Sequence, residues 1–260
     1  MSSTSFDLPI LMYHHLEADG NSLSPYAIHA GQFIDQLDAL MRAGFVTLSF
    51  QELFTMLAGK IPIPPRAVII TFDDGYESFR QLALPALLSR KMKATVFIVA
   101  GRIGADNDWD RACGIPVRKL MDDDGIRTML SAGMEIGAHG WAHRNQCQCS
   151  TPELEEEIFK SRNELELRFG TAPVIFSYPY GAHAKSNFPL LQKAGYSGAV
   201  SIFSDQPAVT SNLFSMRRIY VHAGDTAWRF RFKLSPLYLR YMAWRDSRFS
   251  THGDQKAEPV

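Results

Sequence analysis

Short apolar runs recur along this chain near residues 8–13, 45–48, 67–72, 94–99, 134–138, 173–178, 197–202 and 217–221. The gaps between them carry helix-like spacing, at Gly31–Gly44, Ser49–Gly59, Glu77–Arg90, Asp123–Ala132, Pro152–Phe169 and Asn187–Ala194. Strands this apolar must be covered on both faces, and strand–helix alternation supplies the cover in the form of parallel βα units. About eight alternations in roughly 245 residues fit a distorted (β/α) barrel of seven to eight strands better than an open doubly wound sheet. No GxGxxG or GxxxxGK[ST] follows a strand, so nucleotide binding has no support. The reading is one α/β barrel domain over residues 1–248, with 249–260 as a disordered tail. Residues 101–122 form an irregular insertion of the kind that shapes a substrate groove.

Composition narrows the partners. Lys+Arg and Asp+Glu both number 27, so nothing global favours nucleic acid or an acidic polymer. Cys113, Cys147 and Cys149 are too few for a disulfide framework or a four-ligand zinc set. The opening MSSTSFDLPILMYHH has no basic n-region and no apolar stretch long enough to span a membrane, which makes a soluble, cytoplasmic protein the expectation. The basic, aromatic segment 228–245 suits either a helix packed on the barrel or peripheral contact with a membrane surface.

The runs end in reactive side chains. ILMYHH closes with His14 and His15, VIITFDDG with Asp73 and Asp74, MEIGAHGWAH with His139 and His143, and VIFSYPYG with Tyr178-Pro179-Tyr180-Gly181. Barrel active sites lie at the C-terminal strand ends, so these clusters are placed to line one pocket. His139 and His143 are four residues apart and suit two ligands of a zinc-like ion. One carboxylate completes a His₂-carboxylate site with positions left open for water, the catalytic pattern. Of the two adjacent aspartates, one can bind the metal while the other takes a proton from the attacking water. Tyr76 and Trp141, inside the two motifs, and Tyr178 are candidate sugar-binding aromatics.

TFDDG, HGWAH and SYPYG, in this order, resemble the central motifs of the NodB-type polysaccharide deacetylases, carbohydrate esterase family 4, over about Pro9 to Leu234. The resemblance implies Asp73 as catalytic base, Asp74, His139 and His143 as metal ligands, and the Tyr180 backbone N–H as an oxyanion donor. It further implies an N-acetylated glycan as substrate and a divalent ion, Zn²⁺ by default with Co²⁺, Ni²⁺ or Fe²⁺ as alternatives. Two departures stand out. Many members carry an Arg two positions before the proline of YPYG to orient the base; this chain has Ser177 there, with Arg217 or Arg218 as substitutes. The family's late Leu-x-His motif is poorly matched around His222. PILMYHHL instead resembles the branch acting on biofilm poly-N-acetylglucosamine, in which an early Tyr-His strand supplies the acid. That match makes His14, as imidazolium, the proton donor and His222 the reserve. The rival readings are hydrolysis of a small non-sugar amide, and a glycan-binding module without turnover.

Overall fold

The computed structural model describes residues 8–19, 24–204 and 212–249. Its strands are β1 (Ile10–Tyr13), β2 (His15–Glu17), β3 (Ala27–His29), β4 (Val46–Thr47), β5 (Ala67–Phe72), β6 (Thr95–Ile98), β7 (Glu135–Ala138), β8 (Ile175–Ser177), β9 (Gly198–Ser201), β10 (Met216–Arg217) and β11 (Ile219–Tyr220). Its helices are α1 (Ala30–Arg42), α2 (Phe50–Ala58), α3 (Leu84–Leu88), α4 (Asp123–Ser131), α5 (Thr151–Glu155), α6 (Ser161–Phe169), α7 (Phe188–Ala194), α8 (Ala227–Lys233) and α9 (Pro236–Phe249). No helix among the described residues is long and apolar enough to cross a membrane.

The strands form a parallel sheet in the order β10-β9-β8-β7-β6-β5-β1-β11, with β4 paired to the foot of β5. Its two edges, β10 and β11, are halves of one strand interrupted at Arg218. Met216 pairs with Val200 and Ile219 with Leu11, while the Arg218 N–H donates to the Ser201 carbonyl at 2.8 Å. The sheet therefore curls into a nearly closed barrel whose seam is Arg218. Every residue of β1, β5, β6, β8 and β9 is buried, as expected of strands with helices outside and a packed interior.

Alternation along the strands sorts the side chains into two cores. Ile10, Ala67, Ile69, Phe97, Ile175, Val200 and Met216 cluster with Leu48, Phe50 and Leu53 and fill the lower interior. Leu11, Tyr13, Val68, Ile70, Phe72, Ile136, Ala138, Phe176 and Tyr178 belong to the second cluster, shared with the surrounding helices. Glu135, at the foot of β7, accepts the Phe50 and Gln51 N–H groups at the start of α2, at 2.8 and 2.7 Å, and so fixes the apolar plug from below.

Several details differ from the sequence reading. The short parallel pair β2–β3 was not expected. The insertion at 101–122 winds through two short turns and returns beside Tyr76 by single bridges at Tyr76–Leu120 and Asp106–Lys119. Phe249 ends α9; the rest of the expected tail, 250–260, lies outside the described residues.

Candidate active site

The inward row of β5 is Ala67, Ile69, then Thr71, and it continues into Asp73. Apolar side chains thus give way to polar ones toward the mouth, and both Thr71 and Asp73 are buried. Asp74 is next in sequence and would point away from the interior if the strand continued. It does not continue: Asp74 has φ 71° and Gly75 φ 76°, and the turn keeps both carboxylates at the rim. Left-handed backbone costs a non-glycine residue roughly 1–2 kcal/mol. Asp74, His143 and Tyr180 all adopt it, with only Lys60 and Lys91 doing so elsewhere among the described non-glycine residues. Such concentration is typical of functional loops.

Asp74, His139 and His143 converge. Each imidazole Nε2 lies 3.4 Å from the same Asp74 Oδ1, and one ligand atom from each residue falls within 4.8 Å of the others. Donors bound at about 2.0–2.1 Å to one tetrahedral ion stand about 3.4 Å apart, so the spacing fits a zinc-sized cation. The tautomer fits too. His139 Nδ1 donates to the Ser177 carbonyl at 2.8 Å, which leaves Nε2 with its lone pair toward the cluster. Burial lowers the pKa of His139, with the Asp73 charge opposing. Burial, reinforced by His139, takes His143 well below its ordinary value. Both rings are therefore neutral, the form that binds metal.

Asp73 lies outside this triad, its Oδ2 3.9 Å from His139 Nε2. The Arg218 guanidinium holds it, Nη1 donating to Oδ1 at 2.5 Å and Nη2 to Oδ2 at 2.7 Å. The same guanidinium donates to Ser177 Oγ at 2.9 Å. Burial alone would raise the Asp73 carboxyl, but the Arg218 charge, then His139, more than offset it and hold the group well below the usual carboxylate range. Ser177, standing where the family's arginine is common, thus receives an arginine from the seam of the barrel. Arg217, its neighbour, points the other way. It donates to the Ile202 and Ser204 carbonyls at 2.9 and 2.8 Å and pairs with buried Asp246 of α9, which fixes that helix to the barrel.

The loop between the two histidines is held by a residue that the motifs did not flag. Glu157 is fully buried in a π-helical turn, Glu156–Lys160, between α5 and α6. Its carboxylate accepts the backbone N–H groups of Trp141 at 3.1 Å, Ala142 at 2.9 Å and Arg144 at 3.4 Å. Gly140, at φ 80°, leaves room for it: a Cβ there would lie 2.2 Å from Glu157 Oε2. A buried carboxylate with three N–H donors is well satisfied and determines the shape of the turn that presents His143.

The remaining candidates separate. His14 is half-buried at the mouth, its ring 4.9 Å from Tyr26 and 5.8 Å from Tyr220. Burial lowers its pKa to about 3, against the pull of the Asp73 charge. His222 is exposed and packs on Tyr220 at 4.0 Å; partial burial lowers its pKa, followed by the charges of Lys233, Asp225 and Arg229, with neither Asp73 nor Asp74 among the causes. The Tyr180 ring is 38% exposed and sits edge-on to His143 at 4.7 Å. The Trp109 ring stacks on His143 at 4.6 Å. Trp109 and Tyr180, with Arg144, Asn145 and Glu153, wall a groove of about 510 Å³ that reaches His143.

The three aromatics expected to face a sugar are placed differently. Tyr178 follows inward Ser177, so it takes the outer face, fully buried, with its hydroxyl donating to the Phe214 carbonyl at 2.9 Å. Tyr76 is buried, with its hydroxyl accepting from Asn107 at 2.9 Å, and lines a separate cavity of about 520 Å³ with His15, Glu17 and Arg118. The Trp141 ring has the Lys160 ammonium 3.8 Å from its centroid and packs against Gly101. None of the three lines the groove that reaches His143.

Residues 60–199, which include TFDDG, HGWAH and SYPYG, match the family model described as polysaccharide deacetylase. The chain belongs to that family. Among polysaccharide deacetylases and their relatives, YxkH of Bacillus subtilis, a polysaccharide deacetylase by name, is 27% identical over 217 residues, 84% of this chain and 72% of its own length. The poly-beta-1,6-N-acetyl-D-glucosamine N-deacetylase of Staphylococcus aureus is 26% identical over 206 residues, 75% of this chain and 67% of its own. The Streptococcus pyogenes deacetylase PplD, solved with acetate, superposes with a TM-score of 0.76 at 21% identity, over 90% of this chain and 100% of that one. The shared fold is the NodB-type barrel, the expected architecture.

Proposed function

We propose that this polysaccharide deacetylase is a metal-dependent hydrolase that removes N-acetyl groups from the sugars of an N-acetylated polysaccharide or its precursor and releases acetate. The observation that carries the reading is the division between two adjacent carboxylates. Asp74 faces the imidazole pair, while Asp73 is held ionised by Arg218 next to it.

Asp74, His139 and His143 would hold the divalent ion. Bound there, it supplies Lewis-acid polarisation of the acetyl carbonyl and lowers the pKa of the attacking water toward about 7. Zn²⁺ is the default for this donor set, and Co²⁺, Ni²⁺ and Fe²⁺ suit similar ligands. Asp73, fixed through both oxygens, accepts the proton of the attacking water as general base. The Tyr180 N–H, on its left-handed turn, is the oxyanion donor; removal of one such donor from a comparable site costs about 3–4 kcal/mol. His14 gives the leaving amine its proton. Burial lowers the pKa of that imidazole, so the role requires His14 to take up a proton from solvent before the amine departs. Trp109 and Tyr180 flank the groove and cover the apolar face of a sugar ring.

A non-catalytic glycan-binding role drew its only support from Ser177, and the Arg218 guanidinium, bonded to both Asp73 oxygens and to Ser177 Oγ, weakens that support. The test is acetate release from N-acetylglucosamine oligomers before and after chelation. Release that stops on chelation and returns with Zn²⁺ or Co²⁺ fits the proposal; release indifferent to chelator refutes the metal, and acetate freed only from small non-sugar amides refutes the substrate class.

A further inference from the structure

Helices α8 and α9 carry a stripe of large apolar side chains on the solvent side. Trp228 and Leu237 are each 71% exposed, and Phe232, Tyr241 and Trp244 are also exposed. The spacing is helical, at 228 and 232 on α8 and at 237, 241 and 244 on α9, so each helix presents one row. Trp228 stacks on Phe232 with centroids 5.5 Å apart, and Tyr241 lies 6.0 Å from Trp244. The stripe is not the packing face. Phe230, Leu234, Leu239 and Ala243 are buried against the barrel, and buried pairs Lys233–Asp225 and Arg217–Asp246 fix the inner side. Both helices are therefore apolar on two faces.

Charge identifies what the outer face meets. Arg229, Arg231 and Arg240 are exposed on the same helices. The sequence from 227 to 249 contains a single acidic residue, Asp246, which is buried. Aromatic and leucine side chains projecting among arginines, with no exposed carboxylate, form the pattern of helices that lie in the plane of a bilayer interface. A second copy of this chain would bring the same arginines against themselves, since a two-fold interface pairs like surfaces. We propose that the outer face of α8 and α9 docks on an anionic phospholipid bilayer, aromatic rings at headgroup level and arginines on the lipid phosphates. Because α8 begins a short turn after Tyr220, at the rim carrying the catalytic side chains, a bilayer on this face lies beside the mouth of the barrel. The inference is independent of the proposed reaction, because binding is measured without a glycan.

The test is cosedimentation of the full chain with vesicles of phosphatidylcholine plus phosphatidylglycerol, and with phosphatidylcholine alone. Binding is expected to the anionic vesicles, weakening as salt is raised, with about a fivefold loss for each arginine removed. The variant Trp228→Ser/Leu237→Ser/Trp244→Ser is expected to lose binding more than tenfold. Arg229→Glu/Arg231→Glu is expected to lose it on anionic vesicles, and circular dichroism and acetate release of both variants should match wild type. Wild type remaining in the supernatant would overturn the proposal, as would equal binding by both variants. A dimer in solution that the serine variant dissociates would also overturn it, by assigning the face to a second copy.

Discussion

Arg218 grips both oxygens of Asp73 from the seam where the barrel closes, at 2.5 and 2.7 Å. The geometry of Asp73 therefore depends on the last strand pairing with both β9 and β1. Lysine cannot reproduce a two-pronged grip, so Arg218→Lys is expected to lower kcat about 10²-fold, the scale of a misplacement near 1 Å. Bound metal should stay at the wild-type level. Steady-state kinetics with metal analysis checks this, and an unchanged kcat would mean that Asp73 needs no such clamp.

Glu157 holds the loop that presents His143, so it should influence metal affinity. In Glu157→Gln an amide NH₂ must face one of the backbone N–H donors of Trp141, Ala142 or Arg144. Affinity for Zn²⁺ is expected to fall about 10- to 100-fold, as for other residues that orient ligands. Competition with a chromogenic chelator measures it, and unchanged affinity would reduce Glu157 to a packing residue.

Acid should destabilise the metal-free protein early. Burial lowers folded His14 to about 3, while the unfolded imidazole titrates near about 6.5. His139 and His143 are lowered as well. On acidification the unfolded chain binds these protons first, so stability is full above about pH 6.5 and is lost as pH falls toward the folded values. Each histidine contributes a slope of at most about 1.4 kcal/mol per pH unit. Urea midpoints of the chelated protein should fall over this window, less steeply in His14→Gln; identical slopes would show that His14 is not protected from protons.

Trp109 rather than Tyr178 should face the substrate. Tyr178→Phe removes a buried hydrogen bond to the Phe214 carbonyl and should cost about 1–2 kcal/mol of stability with KM unchanged. Trp109→Ala should raise KM severalfold at unchanged Tm, since its ring walls the groove. Thermal melts and kinetics of the pair decide it.

Most of the barrel was legible because its strands are largely apolar, and the two histidines of the Asp74–His139–His143 cluster because of their four-residue spacing; which aspartate joins them came only from the family resemblance. Parity was also readable. Residues 69, 71 and 73 share a face, and so do 175 and 177; Tyr178 therefore belongs outside, and counting alternate positions would have removed it from the sugar site. The same alternation across the last strand separates Arg218, inward, from Arg217, outward, although the break in that strand obscures it. Glu157 left a fainter signal: it falls on the stripe of Leu154, Ile158, Ser161 and Leu165, where a carboxylate has to be buried, but it reads as one more acid in ELEEE. Trp109 was hidden because an irregular insertion has no period, and only the tertiary path back along Tyr76 brings it to His143.

The most direct test of the account is acetate release by Asp73→Asn measured alongside its metal content. A base distinct from the ligand set predicts wild-type metal stoichiometry with release reduced by about 10²–10⁴-fold. Wild-type release with metal bound, or loss of the metal itself, would contradict the division of labour between Asp73 and Asp74.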